Sequence, residues 1–298
     1  MFAKILDGRQ IKYGPFLYNR VLRLLPLLLL VVAVVGIRHW SHGGSVLGYL
    51  EHVAAGLYAP VLPNGGWSIT VEFHFYLVLP LLLFACRRTP WWLVAILIPS
   101  MTFRTWLFFS DGTVQWLAYW TIVGRIDQFL LGMIFFQISG IMRGRHVLAV
   151  LTAVAFAAFY WWFDSLGGFF QLGAYPSSSP LWIIMPTIEG AAYGALIAYY
   201  DRTFEFANDN VWANIVAKVG ECSYSLYLLH FFFVFWMAEF IHTHVMAMHS
   251  FYVAVAWSIV CFLALVPLAW LSYRFVELPF LKLRVNYLRS SREQALPG

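Results

Sequence analysis

Residues 16–37 read FLYNRVLRLLPLLLLVVAVVGI, an apolar run that carries Arg20 and Arg23 near its start and no charge after them. A membrane-spanning helix needs about 20 mainly apolar residues, so this run is long enough to cross a bilayer. A strand of a membrane β-barrel would need only about 10 residues and would alternate polar with apolar positions. The run therefore predicts a transmembrane helix.

The composition of the whole chain agrees with this prediction. Of the 298 residues, 61% are apolar and 11% are charged, whereas a soluble domain carries roughly 25% charged residues. An aromatic content of 19% excludes intrinsic disorder. Three cysteines cannot all pair in a disulfide framework. The sequence therefore predicts an all-α polytopic helical membrane bundle that forms a single integral membrane domain over residues 1–298.

Seven further apolar runs raise the predicted number of transmembrane helices to about eight. They cover residues 67–85, 91–109, 115–139, 147–163, 183–200, 221–240 and 251–275. The segment 41–66 is expected to lie at the membrane interface, and 164–182 is expected to form a long loop because it is rich in Gly, Ser and Pro.

The basic residues predict the orientation of these spans. If the N-terminus is cytoplasmic, sixteen of the 19 Lys and Arg residues lie on the cytoplasmic side, Arg38 lies outside, and Arg104 and Arg125 lie within spans. This distribution follows the positive-inside rule and places both termini in the cytoplasm. It also accounts for the net charge of +5 through anionic lipid headgroups, so no nucleic-acid partner is expected.

Several ionisable residues fall within the predicted spans. A charge at bilayer depth costs at least about 2.5–3.5 kcal/mol, so it usually faces the interior of the bundle and has a partner. Both signs occur at similar depth on different helices, which predicts a buried polar cluster around an outward-leaning cavity. Its members are Glu72, Arg104, Arg125, Asp127 and Glu189. The alternative is an ion-pair network that only fixes helix packing.

Two smaller sets of polar residues share a helix face. Arg20 and Arg23 lie three residues apart at the cytoplasmic end of the first span, where they could hold phosphate groups or extend toward lipid headgroups. Ser223, Tyr227 and His230 follow i, i+4, i+7 spacing in the seventh span. They could line a polar site or hydrogen-bond to neighbouring helices.

The sequence lacks the common phosphate-binding, hydrolase and paired-cysteine motifs. A His-x-His pair can bind metal, but His242, His244 and His249 are not expected to do so. The sequence predicts neither a metal site nor a tightly bound cofactor.

Five segments carry a family resemblance. They are FLYNRVLRLLP (16–26), WSITVEFHFY (67–76), GRIDQFLLG (124–132), SYSLYLLH (223–230) and SYRFVELPF (272–280). In this order they resemble the motifs of the acyltransferase-3 family of bacterial multi-spanning membrane O-acyltransferases. The resemblance implies a bacterial inner-membrane enzyme that transfers an acyl group, usually acetyl, from acyl-CoA to a hydroxyl of a carbohydrate or of a cell-envelope glycan, including a lipid-linked one.

The resemblance also implies roles for individual residues. Glu72, Arg125 and Asp127 would be catalytic, and Arg20 and Arg23 would hold the acyl-CoA donor. The remaining residues, Arg104, Glu189, Tyr227 and His230, would line the cavity.

The chain departs from the family pattern in two ways. Phe73 and His74 replace a Glu and a Gln of the family motif, so only Glu72 carries over from that pair. The family also has a catalytic His eleven residues after an Arg in its first helix, and no His here has an Arg at that distance. With eight spans instead of about ten, the resemblance implies that the chain begins just after the family's second helix.

These departures leave alternatives open. His74 or His230 could replace the missing base if either lies in the cavity. The chain could also be inactive in this shortened form, or it could be a transporter, a flippase-like protein or a non-catalytic membrane protein that binds glycan or lipid.

Overall fold

The computed structural model describes residues 11–88, 91–169, 175–204, 211–247 and 250–288. Within these ranges the chain is helical and has no named β-strand, apart from an isolated antiparallel bridge between Ile11 and Leu288. This confirms the predicted all-α fold.

Thirteen α-helices follow one another along the described ranges. They are α1 (Tyr13–Ser41), α2 (Val46–Ala55), α3 (Trp67–Arg88), α4 (Trp91–Asp111), α5 (Gln115–Trp120), α6 (Ile122–Gln137), α7 (Ser139–Met142), α8 (His146–Ser165), α9 (Met185–Thr203), α10 (Val211–Glu221), α11 (Ser223–Phe240), α12 (Phe251–Ser272) and α13 (Leu278–Leu281). A 3₁₀ turn, Pro180–Ile183, precedes α9. Two π-helical segments, Ile241–Val245 and Tyr273–Glu277, continue α11 and α12.

Six segments of the described residues are long and apolar enough to cross a membrane. They are Tyr13–Ser41, Trp67–Ala85, Trp91–Asp111, His146–Ser165, Ser223–Val245 and Tyr252–Leu281. They correspond to six of the eight predicted spans, and they identify a multi-pass membrane protein. The count of eight and the cytoplasmic location of both termini stay predictions. The segment 41–66 contains only the ten-residue helix α2, which is too short to cross a bilayer.

The predicted span at 115–139 is not one continuous helix. Thr121 has extended backbone angles (φ −121°, ψ 157°) and separates α5 from α6. Its hydroxyl accepts a hydrogen bond from the Gly124 backbone N–H at 3.2 Å and so caps α6. A Cβ at Gly124 would lie 2.1 Å from the Leu117 carbonyl oxygen, so the close approach of the two helices requires glycine.

The predicted span at 183–200 corresponds to α9, which is less apolar than the six membrane-crossing segments. It carries Glu189, Asp201 and Arg202 within 19 residues. A face of small residues allows it to pack closely on α6. A Cβ at Gly190 would lie 2.8 Å from the Gln128 Cα atom. Small residues are typical of helix contacts in membranes because they let backbones approach each other.

Replacing Gly190 by Ala is therefore expected to destabilise the fold. The added methyl group would meet backbone rather than a flexible side-chain end, and overpacking of this kind costs typically about 1–3 kcal/mol. Gly132 on α6 is the matched control, because no atom outside its own stretch of helix lies within 4 Å of the position that a Cβ would occupy. Gly132→Ala should leave stability unchanged or raise it, since Ala favours helix over Gly by about 1 kcal/mol. Thermal unfolding in detergent measures both, and equal effects of the two changes would contradict the close packing.

The helices form two compact units, which are described separately. Unit 1 is built mainly from Val71–Glu205, and unit 2 is built from Lys12–Thr70 and Phe206–Tyr287. In unit 2, Cys222, Leu226, Leu265 and Ala269 form a buried apolar core between α11 and α12.

Side-chain hydrogen bonds to the backbone fix α1 within unit 2. The Tyr224 hydroxyl donates to the Leu24 carbonyl at 2.7 Å, which ties α11 to α1. The Asn19 side chain donates to the Val285 carbonyl at 2.7 Å and accepts from the Val285 N–H at 3.0 Å. This pair of bonds places the segment after α13 beside the start of α1.

Candidate functional site

Unit 1 contains a fully buried ion pair between α4 and α6. Arg104 Nη2 lies 2.5 Å from Asp127 Oδ2, and neither side chain has any exposed surface. Arg104 Nη1 also donates to the Gly124 carbonyl at 2.9 Å. The Thr187 hydroxyl of α9 donates to the same Asp127 oxygen. We call these three side chains, Arg104, Asp127 and Thr187, the buried lock, because they join α4, α6 and α9.

Two side chains of the buried lock, Arg104 and Asp127, have no surface that a ligand could reach. Arg104, which was expected on a cavity wall, has 0% of its surface exposed, and so does Asp127. Arg104 Nε and Asp127 Oδ1 have no hydrogen-bond partner. In this arrangement Asp127 can orient the helix that carries Arg125 without touching a substrate.

A second polar network in unit 1 is only half buried. Arg125 Nη1 donates to Gln128 Oε1 at 3.0 Å, and Gln128 Nε2 donates to Glu189 Oε2 at 2.6 Å. Arg125 Nε also donates to the Tyr119 carbonyl at 2.5 Å, and its guanidinium lies 4.6 Å from the centroid of the Tyr119 ring. We call Arg125, Gln128 and Glu189 the polar relay. Because its members are partly exposed, the relay can meet a polar ligand.

Glu72 stands apart from both networks. The Tyr76 hydroxyl, one helical turn further along α3, donates to its carboxylate. Among the described residues no hydrogen bond or ion pair joins Glu72 to Arg104, Arg125, Asp127 or Glu189. The single cluster expected from the sequence is therefore divided into the buried lock, the polar relay and a separate carboxylate.

Unit 2 contains a group of three guanidinium groups, Arg20, Arg23 and Arg284, which we call the basic cluster. Arg20 lies over the Phe16 ring at 5.3 Å. Loss of hydration, reinforced by the positive charges of Arg23 and Arg20, lowers the pKa of Arg284 below its usual value. Three like charges held this close repel one another, and an added polyanion would relieve that repulsion.

A buried carboxylate supports the basic cluster from within unit 2. Glu277 is 2% exposed, and its charge acts on both Arg23 and Arg284. The Ser225 hydroxyl donates to Glu277, and it lies 3.0 Å from the Ser272 hydroxyl. These bonds tie Glu277, in the π-helical segment that continues α12, to α11 and hold its side chain in place.

Tyr227 and His230 line an apolar cavity between α11 and α12. The Tyr227 hydroxyl donates to the Gly65 carbonyl at 2.7 Å. His230 Nδ1 lies 2.5 Å from the Tyr227 carbonyl oxygen. The third residue of this stripe, Ser223, does not belong to the cavity wall.

No group of three metal-ligating side chains occurs in the part of the chain that the structure describes. His242 and His244 lie in the π-helical segment after α11, and His249 lies outside the described residues.

Sequence analysis missed several residues of these sites, among them Thr187, Arg284, Gln128 and Glu277. Arg284 follows the last motif, and its distance from Arg20 along the chain gives no periodic signal. Gln128 lies inside the segment GRIDQFLLG, but an uncharged side chain does not stand out in an apolar span. Glu277 lies inside SYRFVELPF but beyond the end of the last predicted span, 251–275, so the sequence did not mark it as a charge at membrane depth.

Comparison with known proteins gives the family. Residues 1–274 match the family profile described as "Acyltransferase domain". The chain is 26% identical over 182 residues to "Acyltransferase MdmB" of Streptomyces mycarofaciens, and the matched part covers 55% of this chain and 43% of that protein. The chain thus spans less than half the length of this relative. No solved structure matches the chain significantly. Because the family profile covers most of the 298 residues, the chain belongs to the acyltransferase-3 family.

Proposed function

We propose that the protein is a membrane O-acyltransferase of the bacterial inner membrane. It would move an acyl group, acetyl in the first instance, from acyl-CoA to a hydroxyl of a carbohydrate or of a lipid-linked glycan of the cell envelope. Family membership and the name of the relative support acyl transfer as the reaction type. The six apolar segments support a site within a membrane.

The basic cluster is the proposed binding site for the donor, acyl-CoA. CoA bears phosphate groups, and guanidinium groups hold phosphate by charge-assisted hydrogen bonds. Arg20 and Arg23 lie three residues apart near the start of α1, and the hydrogen bonds between Asn19 and Val285 place Arg284 in the segment beside them. Glu277, whose side chain accepts a hydrogen bond from Ser225, interacts electrostatically with Arg23 and Arg284 in the same unit. A preformed cluster loses less entropy on binding than separate flexible side chains would.

The polar relay is proposed to meet polar groups of the acceptor. Arg125 can offer parallel N–H donors, and Glu189 can accept from a hydroxyl. Gln128 fixes the spacing between them. Asp127 would position Arg125 through the buried lock, and Glu72 would orient a further polar group.

The proposed reaction needs a base for the hydroxyl proton and hydrogen-bond donors for the oxyanion. The acceptor oxygen attacks the thioester carbonyl carbon, the carbon–sulfur bond breaks, and CoA leaves as the thiol. A base must take the hydroxyl proton, which typically contributes about 10²–10⁴-fold. Donors that stabilise the developing oxyanion contribute about 10²–10³-fold each.

Replacing Arg284 by Ala is expected to weaken acyl-CoA binding by about 10-fold or more. A hydrogen bond to a charged group contributes about 1.5–3 kcal/mol, and each 1.4 kcal/mol is a factor of ten in affinity. Equilibrium binding of labelled acetyl-CoA to the full chain in lipid nanodiscs measures the change.

Lys282→Ala is the matched control for this prediction. It removes the same charge two residues away, from a side chain outside the basic cluster. Lys282→Ala should leave the affinity within about 2-fold of the wild type, because a side chain that does not hydrogen-bond to a phosphate acts on it only through screened long-range attraction. Equal losses for the two variants would mean that binding depends on general positive charge, and the basic cluster would then not be the donor site.

A further inference from the structure

We infer that the cavity between α11 and α12 holds the hydroxyl-bearing, hydrocarbon-rich part of the acceptor, and that His230 takes the proton from that hydroxyl. This inference rests on the proposed function for the transfer step, and it names the acceptor class as a lipid-type alcohol.

The cavity has the size and the lining of a site for an alkyl chain. Its volume is about 450 Å³, which falls in the usual range of small-molecule sites. The wall is mostly apolar and includes Phe233, Met237, Trp257, Phe262 and Leu265. The lining residues of α11 and its π-helical extension run from Leu226 to Ile241, a length of about 22 Å at 1.5 Å per residue.

His230 lines this cavity, and its ring has one nitrogen, Nε2, that the contact with Tyr227 does not use. A backbone carbonyl only accepts hydrogen bonds, so the 2.5 Å contact with the Tyr227 carbonyl requires the hydrogen to be on Nδ1. When the ring is neutral, Nε2 then carries the lone pair. Nε2 can therefore accept a hydrogen bond from an occupant and then take its proton.

The neighbouring hydroxyl groups are already committed to backbone carbonyls. The Tyr227 hydroxyl donates to Gly65, and the Ser258 hydroxyl donates to Val255 at 2.7 Å. An alkane could not donate a hydrogen bond to Nε2, and an anion would be repelled by the lone pair on Nε2. An alkyl alcohol fits best, because its hydroxyl donates to Nε2 and its chain lies along the apolar wall.

The position of His230 along α11 is also compatible with acyl-CoA bound at the basic cluster. His230 lies five residues along α11 from Ser225, which donates to Glu277, a residue that interacts electrostatically with the basic cluster. Five residues correspond to about 7.5 Å of helix. CoA carries its thioester at the end of a long pantetheine arm, so phosphates at the basic cluster allow the thioester to reach His230.

The proposed transfer step in unit 2 accounts for each bond that forms or breaks and for the proton. The acceptor oxygen bonds to the thioester carbonyl carbon while its proton passes to His230 Nε2. The carbon–sulfur bond breaks, and the departing sulfur receives the proton from Nε2. His230 returns to its neutral form, and the products are the ester and free CoA.

Cys261, a free thiol in the cavity wall, provides a direct reporter of binding. In a full chain with Cys86→Ser and Cys222→Ser, maleimide labels Cys261 in detergent. We expect 1-dodecanol to protect Cys261 at about 5-fold lower concentration than its methyl ether, which has the same chain and no hydroxyl hydrogen. Equal protection by the two compounds, or none by either, would overturn the inference.

Two variants of His230 separate binding from proton transfer. His230→Phe should abolish the preference for the alcohol, whereas His230→Gln keeps an acceptor oxygen and should keep the preference. His230→Gln should nevertheless lose acyl transfer, because an amide cannot take the proton. Full transfer by His230→Gln, or an unchanged preference in His230→Phe, would overturn the role of His230. If the wild type forms no ester and the preference still depends on His230, the cavity assignment stands and the proposed function fails.

Discussion

Replacing Asp127 by Ala is expected to lower the free energy of unfolding of the protein by about 3–5 kcal/mol, because it leaves the Arg104 guanidinium buried without a counter-charge. Arg104 and Asp127 have no exposed surface, and the ion pair joins α4 to α6. Thr187 on α9 would lose its acceptor at the same time. Unfolding of the full chain in detergent, followed by circular dichroism, measures the loss.

Two further variants test whether the pair acts as a unit. Asp111→Ala removes an exposed carboxylate at the end of α4 and should change the free energy of unfolding by less than about 0.5 kcal/mol. The double variant Arg104→Met with Asp127→Leu removes both charges and should be more stable than Asp127→Ala alone. A double variant that is no more stable than Asp127→Ala would show that the loss does not come from the unpaired Arg104 charge.

Replacing Arg125 by Ala is expected to lower the rate of acyl transfer by about 10²-fold or more. The change removes the donor end of the polar relay, and loss of a single positioned donor costs about 10²–10³-fold in comparable sites. Glu189 would keep its bond from Gln128, so the fold should be largely retained. The measurement is the initial rate of ester formation from labelled acetyl-CoA in vesicles, at matched protein levels.

Arg145→Ala and Arg125→Lys are the controls for this prediction. Arg145 is exposed in unit 1 and lies outside the polar relay, so its loss should leave the rate unchanged. Arg125→Lys keeps the charge but loses the planar fork, and it should recover only a small part of the rate. A normal rate for Arg125→Ala would remove Arg125 from the site.

The sequence predicted the helices well where hydropathy alone decides them. The run at 16–37 became α1, and five other predicted spans are helices of membrane-crossing length. The break at Thr121 could not be predicted, because the apolar run continues through it. The break depends on a side-chain cap and on the contact of Gly124 with Leu117, which is a tertiary feature.

The sequence identified many residues of the candidate site, but it did not show which of them contact one another. The cost of a buried charge indicated that Arg104 and Asp127 would find partners. It could not show that they would pair with each other and leave Arg125 to Gln128 and Glu189. Arg284 joins Arg20 through the fold of unit 2, and no spacing along the chain indicates such a contact.

The most direct test is to look for transfer itself. The full chain in vesicles would be incubated with CoA carrying a labelled acetyl group and with dodecyl maltoside, which offers sugar hydroxyls on an alkyl chain. We expect labelled ester on the glycoside and one free CoA thiol for each ester formed, with both lost in Arg125→Ala. Free thiol without ester, or label that stays on CoA, would contradict acyl transfer by this protein.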